Sequence, residues 1–317
     1  MKSLWRAGLT ATIATYILIF IGGLVRVSGA GLGCPDWPKC FGRWVPPTDV
    51  SQLPSDMDPA LFNFTLAWIE WLNRLSGMIV GIIIAVVAVM ALFVARRHPR
   101  ILWPAVAAGL LTAFQGWQGS VVISSELEPL VVSVHAVLAL IIVSLLIWVT
   151  QQAFYETNPD EQGNNYMPKG APRWLTFIWL VAIVQVILGT RMREGLEIMS
   201  DRYPLLTPAE WVAKIGAVSH VHLALGILVA VLTWWVGNRV LKGTERLTAL
   251  VRQAMVAAIA LGLLQVLSGL LFIFFDLPPI VQVFHLWLAA LYIGALLIVF
   301  AASRRSRQPL GLEVPQS

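Results

Sequence analysis

The chain has 317 residues, 58% hydrophobic and 12% charged, with a mean hydropathy of +0.76. A soluble domain of this size does not need so much apolar surface, and a bilayer core is crossed by about 20 apolar residues. The composition therefore excludes a soluble protein and predicts an all-α integral membrane protein. The formal net charge of +5 does not imply nucleic acid. With the N-terminus inside, the inner segments carry fourteen Lys and Arg against five Asp and Glu, and the outer segments eight against twelve. That is the positive-inside asymmetry, which predicts both termini in the cytoplasm.

Eight apolar stretches follow in order. The first, 7–27, comes after Lys2 and Arg6. It is longer than a signal-peptide core of about 7–15 residues, and no A-x-A site follows. It is expected to stay as a helix. The loop after it contains GLGCPDWPKCFG, with the only two cysteines, Cys34 and Cys40. This loop falls on the outer, oxidising side, where disulfides persist. A structural disulfide and a redox-active pair both fit the spacing, whereas zinc needs four N or S ligands.

The second stretch, 68–95, opens with EWLNRLSG at 70–77. Glu70 and Asn73 lie one turn apart on one helical face, and Arg74 follows. The turn RRHPR holds His98, read as a solvated loop residue. The third stretch is 101–123, and the fourth, 130–152, carries His135. Residues 153–173, rich in Pro, Gly, Asn and acidic side chains, read as a cytoplasmic linker. The last four stretches are 174–190, 213–236 (with His220 and His222), 252–275 and 280–302 (with His285).

Three internal echoes keep the same order. Residues 115–135 and 265–285 share Gln115/Gln265, Gly119/Gly269, Pro129/Pro279 and His135/His285 at identical offsets. NRLSGMIV at 73–80 matches HLALGILV at 222–229, aligning Asn73 with His222 and Gly77 with Gly226. G-x-x-[V/M]-R recurs at Gly22–Arg26 and Gly189–Arg193. A duplicated four-helix unit accounts for all three. The predicted organisation is two pseudo-symmetric four-helix bundles, 1–152 (with the outer loop 28–67) and 174–303. The linker 153–173 joins them, and a cytoplasmic tail, 304–317, ends the chain.

An ionisable residue within a membrane segment is a functional candidate. His222 and His285 fall at corresponding places in one half, and two facing imidazoles can hold a heme iron axially with no open position. Such a site passes electrons. His220, two residues from His222, points away. In the first half the equivalent pair is Asn73 and His135. An amide is a weak iron ligand, so this half is expected to hold a heme with one strong axial ligand and a reachable iron. Ser219 and Leu223 occupy the places of Glu70 and Arg74 in the sister half. Glu70 is therefore a candidate catalytic carboxylate, and Arg74 a partner for a heme propionate or for Glu70.

These motifs resemble those of the heme A synthase family. GGLVRVSGAGLGCPDWPKC at 22–40 resembles its first helix and loop, EWLNRLSG its Glu-x-x-His-Arg entry to helix two, and QVILGTRMRE at 185–194 its fifth helix. The likeness runs over about 16–300. It implies an eight-helix enzyme of the bacterial plasma membrane that oxidises a ring methyl of heme O to the formyl group of heme A, through an alcohol, for cytochrome oxidase assembly. It also implies heme b on His222 and His285, the heme O substrate in the half of His135, Glu70 as the essential carboxylate, and Cys34 with Cys40 as the loop pair. Heme O synthase is the implied substrate donor, with a membrane electron donor and a homo-oligomer as further expectations. Two features depart from the family. Asn73 stands where well-known members have histidine, and the outer loop 191–212 lacks a second cysteine pair. The competing reading is a di-heme, quinol-oxidising electron-transfer cytochrome.

Overall fold

The structure is a computed structural model that describes residues 1–159, 161, 167–242 and 247–304. Nine α-helices of eight or more residues are found among them. They are α1 (Lys2–Val27), α2 (Phe64–Val94), α3 (Pro99–Ser124), α4 (Pro129–Thr157), α5 (Ala171–Arg202), the short α6 (Pro208–Ile215), α7 (Ala217–Lys242), α8 (Ala249–Phe274) and α9 (Pro279–Ser303). All but α6 are long and apolar enough to cross a membrane, making this a multi-pass membrane protein.

The helix starts follow from local chemistry. Pro occupies the first turn of α3, α4, α5, α6 and α9, where its missing N–H has no intrahelical partner to lose. Asn63 and Glu128 cap α2 and α4 by accepting from the backbone N–H of Leu66 and Val131. Two helices outrun their apolar stretches. α5 continues through the polar run REGLEIMSDR to Arg202, held by the pairs Arg191–Glu194 and Arg193–Glu197. α4 continues to Thr157 because Gln151, Gln152 and Tyr155 are buried there, with the Gln151 amide donating to the Ile298 carbonyl of α9 at 2.9 Å. The expected linker thus begins later than residue 153, and part of it lies outside the described residues.

Within the first half, α1 packs on α2, α2 on α3, α3 on α4 and α4 on α1; in the second, α5, α7, α8 and α9 pack in the same cyclic order. α1 and α4 then meet α9, and α4 also meets α5. In lipid, helix association relies on close packing and on hydrogen bonds between helices. Between the halves, Gly294 of α9 leaves room for the Tyr16 hydroxyl of α1, which donates to the Ala290 carbonyl at 3.3 Å. The Trp287 indole donates back to the Tyr16 carbonyl at 2.9 Å.

The duplication extends to the backbone. The turn before α4 has Glu126 and Leu127 at φ 53° and 65°, and the turn before α9 has Asp276 and Leu277 at φ 51° and 57°. Two consecutive non-glycine residues in the left-handed region cost about 1–2 kcal/mol each. Their recurrence at corresponding positions marks one turn design used twice.

Candidate functional site

The three membrane histidines sit in one recurring setting. On α3, the Gln115 amide donates to the His135 carbonyl of α4 at 3.0 Å. On α8, Gln265 does the same to His285 of α9 at 2.7 Å, and on α5 Gln185 to His222 of α7 at 2.6 Å. Four residues after each glutamine comes a glycine against the imidazole. A Cβ on Gly119, Gly189 or Gly269 would lie 3.9, 3.3 or 3.9 Å from Cε1 of His135, His222 or His285. The glutamine fixes the height of the neighbouring helix, and the glycine admits the ring.

Hydrogen bonds set the tautomers. Gln118 Nε2 donates to the Val131 carbonyl at 2.8 Å, so its Oε1 faces His135 Nδ1 as an acceptor. Nδ1 must then carry the proton, leaving Nε2 with a free lone pair. Ser268, at the repeat position of Gln118, donates its hydroxyl to the Gln265 carbonyl at 3.1 Å and lies 2.7 Å from His285 Nδ1. With that hydroxyl proton on the Gln265 carbonyl, Nδ1 of His285 is the donor to Ser268 and its Nε2 is free. An outer partner of this kind is what orients a metal-ligating histidine. His222 Nδ1 is buried with no partner among the described residues.

His222 and His285 face one another with ring centroids 6.5 Å apart and planes 59° apart. Two imidazoles on one metal, each with a bond of about 2 Å, place their centroids about 6–6.5 Å apart. The pair therefore fits an axially bound iron. His220 is exposed, on the other side of α7.

Glu70, Arg74, Cys34 and Cys40 form a second cluster. The two cysteines are fully buried and disulfide-bonded. Glu70 is only 2% exposed; its Oε2 accepts from the Cys34 backbone N–H at 2.7 Å, and its Oε1 from Arg74 Nε at 3.0 Å and from Arg74 Nη2. The Arg74 guanidinium also donates to the carbonyls of Asp36 (2.7 Å), Lys39 (2.8 Å) and Cys34 (3.3 Å). Asp36 accepts in turn from the N–H groups of Phe41 and Gly42. Gly33 comes so close to α2 that a Cβ there would lie 2.3 Å from the Leu66 carbonyl oxygen. Of the two partners expected for Arg74, the structure supplies Glu70. Asn73, between these residues and partly buried, makes no side-chain hydrogen bond among the described residues.

Residues 6–297 match the family model COX15-CtaA, described as cytochrome oxidase assembly protein. The chain belongs to this family. Among its COX15-CtaA relatives, the heme A synthase of Paracoccus denitrificans is 27% identical over 313 residues, covering 84% of this chain and 80% of the relative. That of Cereibacter sphaeroides is 28% identical over 305 residues, covering 80% and 77%. That of Shouchella clausii is 23% identical over 237 residues, covering 73% and 74%.

Sequence reasoning missed the Nδ1 partners Gln118 and Ser268, which differ in type and so leave no visible echo. It also missed Gln185, although the spacing Gln–x–x–x–Gly before Gly119 and Gly269 recurs before Gly189 and would have found it.

Proposed function

We propose that the protein oxidises a ring methyl of heme O to the formyl group of heme A, through an alcohol, in the plasma membrane, with both termini cytoplasmic. The observation that supports this best is the His222–His285 pair at the spacing of two imidazoles on one iron, in a chain of the COX15-CtaA family whose other half carries His135 at the place of His285. Heme b belongs on His222 and His285, and the substrate, heme O, in the N-terminal half on His135. Heme O synthase is the donor of that substrate, and a membrane component exchanges electrons with the bis-histidine half.

A heme held by His222 and His285 would supply one-electron transfer. The protein's own contribution is positional. Ser268 holds the proton on His285 Nδ1 and Gln118 holds it on His135 Nδ1, so each ring presents Nε2. The three glutamines hold the helix pairs at matching heights. Glu70 and Arg74 clamp the disulfide loop to α2 one turn from Asn73. With three donors already on its oxygens, Glu70 serves the reaction first by fixing that loop and its charge beside the substrate.

The test is to co-express the protein with a heme O-forming enzyme, purify it, extract its hemes with acid and separate them. Heme A or its hydroxylated precursor alongside heme b is the expected result. Heme b alone in a folded preparation supplied with heme O would overturn the reading in favour of an electron-transfer cytochrome.

A further inference from the structure

Away from the histidines, the seam between α5 and α7 carries a second feature. At the start of α5, Arg173, Trp174 and Phe177 line an open groove of about 470 Å³. Trp174 meets Trp235 of α7 edge to face, with ring centroids 5.3 Å apart and planes 81° apart, and it meets Phe177 at 6.2 Å. Arg239, one turn after Trp235, places its guanidinium 4.1 Å from the centroid of that ring. Two indoles joined across the seam are thus flanked by two guanidinium groups.

The charged groups around the groove have one sign. Arg173 and Arg239 are exposed, and neither belongs to an ion pair among the described residues. Lys169, just before α5, and Lys242, the last residue of α7, are exposed at the same end. No Asp or Glu lines the groove. From Arg173 an exposed apolar stripe, Phe177, Leu180 and Val184, runs along one face of α5. It reaches about 16 Å into the membrane span, roughly the depth of one leaflet of a 30 Å hydrocarbon core.

We propose that this groove binds an anionic phospholipid, with the phosphate at Arg173 and Arg239 and an acyl chain along the Phe177–Leu180–Val184 stripe. A basic pocket between membrane helices suits an anionic headgroup, and indole rings sit at headgroup level. A zwitterionic lipid brings its own cation against the two arginines and is disfavoured. Arg173 is about 24 Å along α5 from Gly189, which packs on His222. The groove is therefore separate from the histidine site, and lipid binding does not depend on heme.

The test is native mass spectrometry of the full-length protein, purified in detergent, stripped of lipid and titrated with phosphatidylglycerol or with phosphatidylcholine of the same chains. Phosphatidylglycerol is expected to be retained in preference, saturating first at a single lipid per chain. Arg173→Gln/Arg239→Gln is expected to weaken that retention about 30-fold, since one cation beside an anionic headgroup is worth about fivefold. Arg96→Gln/Arg97→Gln removes two exposed arginines after α2, at the same membrane face, and should leave retention unchanged. Trp174→Ala should also lose the retained lipid with both arginines in place, and it serves if the arginine variant fails to fold. Equal retention of the two lipids overturns the proposal. So does an equal loss in Arg96→Gln/Arg97→Gln, which would make the attraction one of overall charge. A dimer that survives lipid removal and is lost in Arg173→Gln/Arg239→Gln would show a second copy covering this face, and overturns it too.

Discussion

In the C-terminal half, His222 on α7 faces His285 on α9, and each carbonyl is tethered by a glutamine. In the N-terminal half, His135 keeps its glutamine and its glycine, while the position that corresponds to His222 holds Asn73 without a tether. The outer connections differ in the opposite sense. The loop after α1 is closed by a disulfide and clamped by Glu70 and Arg74, whereas the segment after α5 is a short capped helix with no buried side chain. The half that lacks the second histidine has the tighter loop. The two halves share one cyclic helix order, but one is held at its histidine pair and the other at its loop.

The largest expected effect comes from breaking the symmetric half. His285→Ala should remove the six-coordinate low-spin heme signal and leave the heme that depends on His135, as read by electron paramagnetic resonance and heme extraction. Loss of both hemes together would mean that the halves do not bind independently.

Next is the clamp of the other half. Arg74→Ala leaves the buried Glu70 carboxylate without its cation, and breaking a buried pair from one side costs about 3–5 kcal/mol. The paired variant Glu70→Gln/Arg74→Met should recover part of that loss in thermal unfolding in detergent. If the double variant is as unstable as Arg74→Ala, the two residues are not the coupled unit described here. Opening the disulfide with Cys34→Ser/Cys40→Ser should cost about 2 kcal/mol for so short a loop, and less where Arg74 still holds the loop carbonyls. Limited proteolysis between residues 28 and 63 reads that difference.

These residues also show how far sequence could go. The eight spans, the duplication, the three histidines and the oddity of Asn73 follow from hydropathy and spacing, which are one-dimensional patterns. The link from Glu70 to the backbone of Cys34 joins residues 36 positions apart through a main-chain N–H. No side-chain identity at the receiving end records it. The Nδ1 partners differ between halves because an amide oxygen and a hydroxyl oxygen can accept the same proton, so chemical equivalence hid behind sequence difference. The polar end of α5 was invisible to hydropathy, since ion pairs one turn apart rather than apolar faces hold it.

A smaller effect tests the glutamine tethers. Gln265→Leu removes one hydrogen bond to the His285 carbonyl, worth about 0.5–1.5 kcal/mol. Gln115→Leu removes its counterpart from His135. If the tether sets ring position, Gln265→Leu should perturb the low-spin signal more than Gln115→Leu perturbs the other heme. A heme with two protein ligands must satisfy both, and one with a single strong ligand can follow its histidine.

The smallest effect belongs to the segment after α5. Thr207 and Glu210 form a capping box at the start of α6, with Glu210 Oε2 2.7 Å from the Thr207 backbone N–H and 2.8 Å from its hydroxyl. These bonds hold the Glu210 carboxyl below its ordinary pKa, the backbone bond contributing most. A folded-state pKa below the unfolded value gives stability that is present above the unfolded pKa and lost as pH falls through the folded one. α6 should therefore fray as the pH drops below the usual glutamate range, seen as faster amide exchange at 209–215, and Glu210→Gln should flatten that dependence. The disulfide loop after α1 should show no matching acid-dependent exchange at Cys40, whose N–H is bonded to the Arg43 carbonyl at 2.9 Å, inside a covalently closed turn. Equal acid sensitivity in both segments would mean that the first half's loop is no more firmly held than the second's, and the contrast between the halves would fail at its outer face.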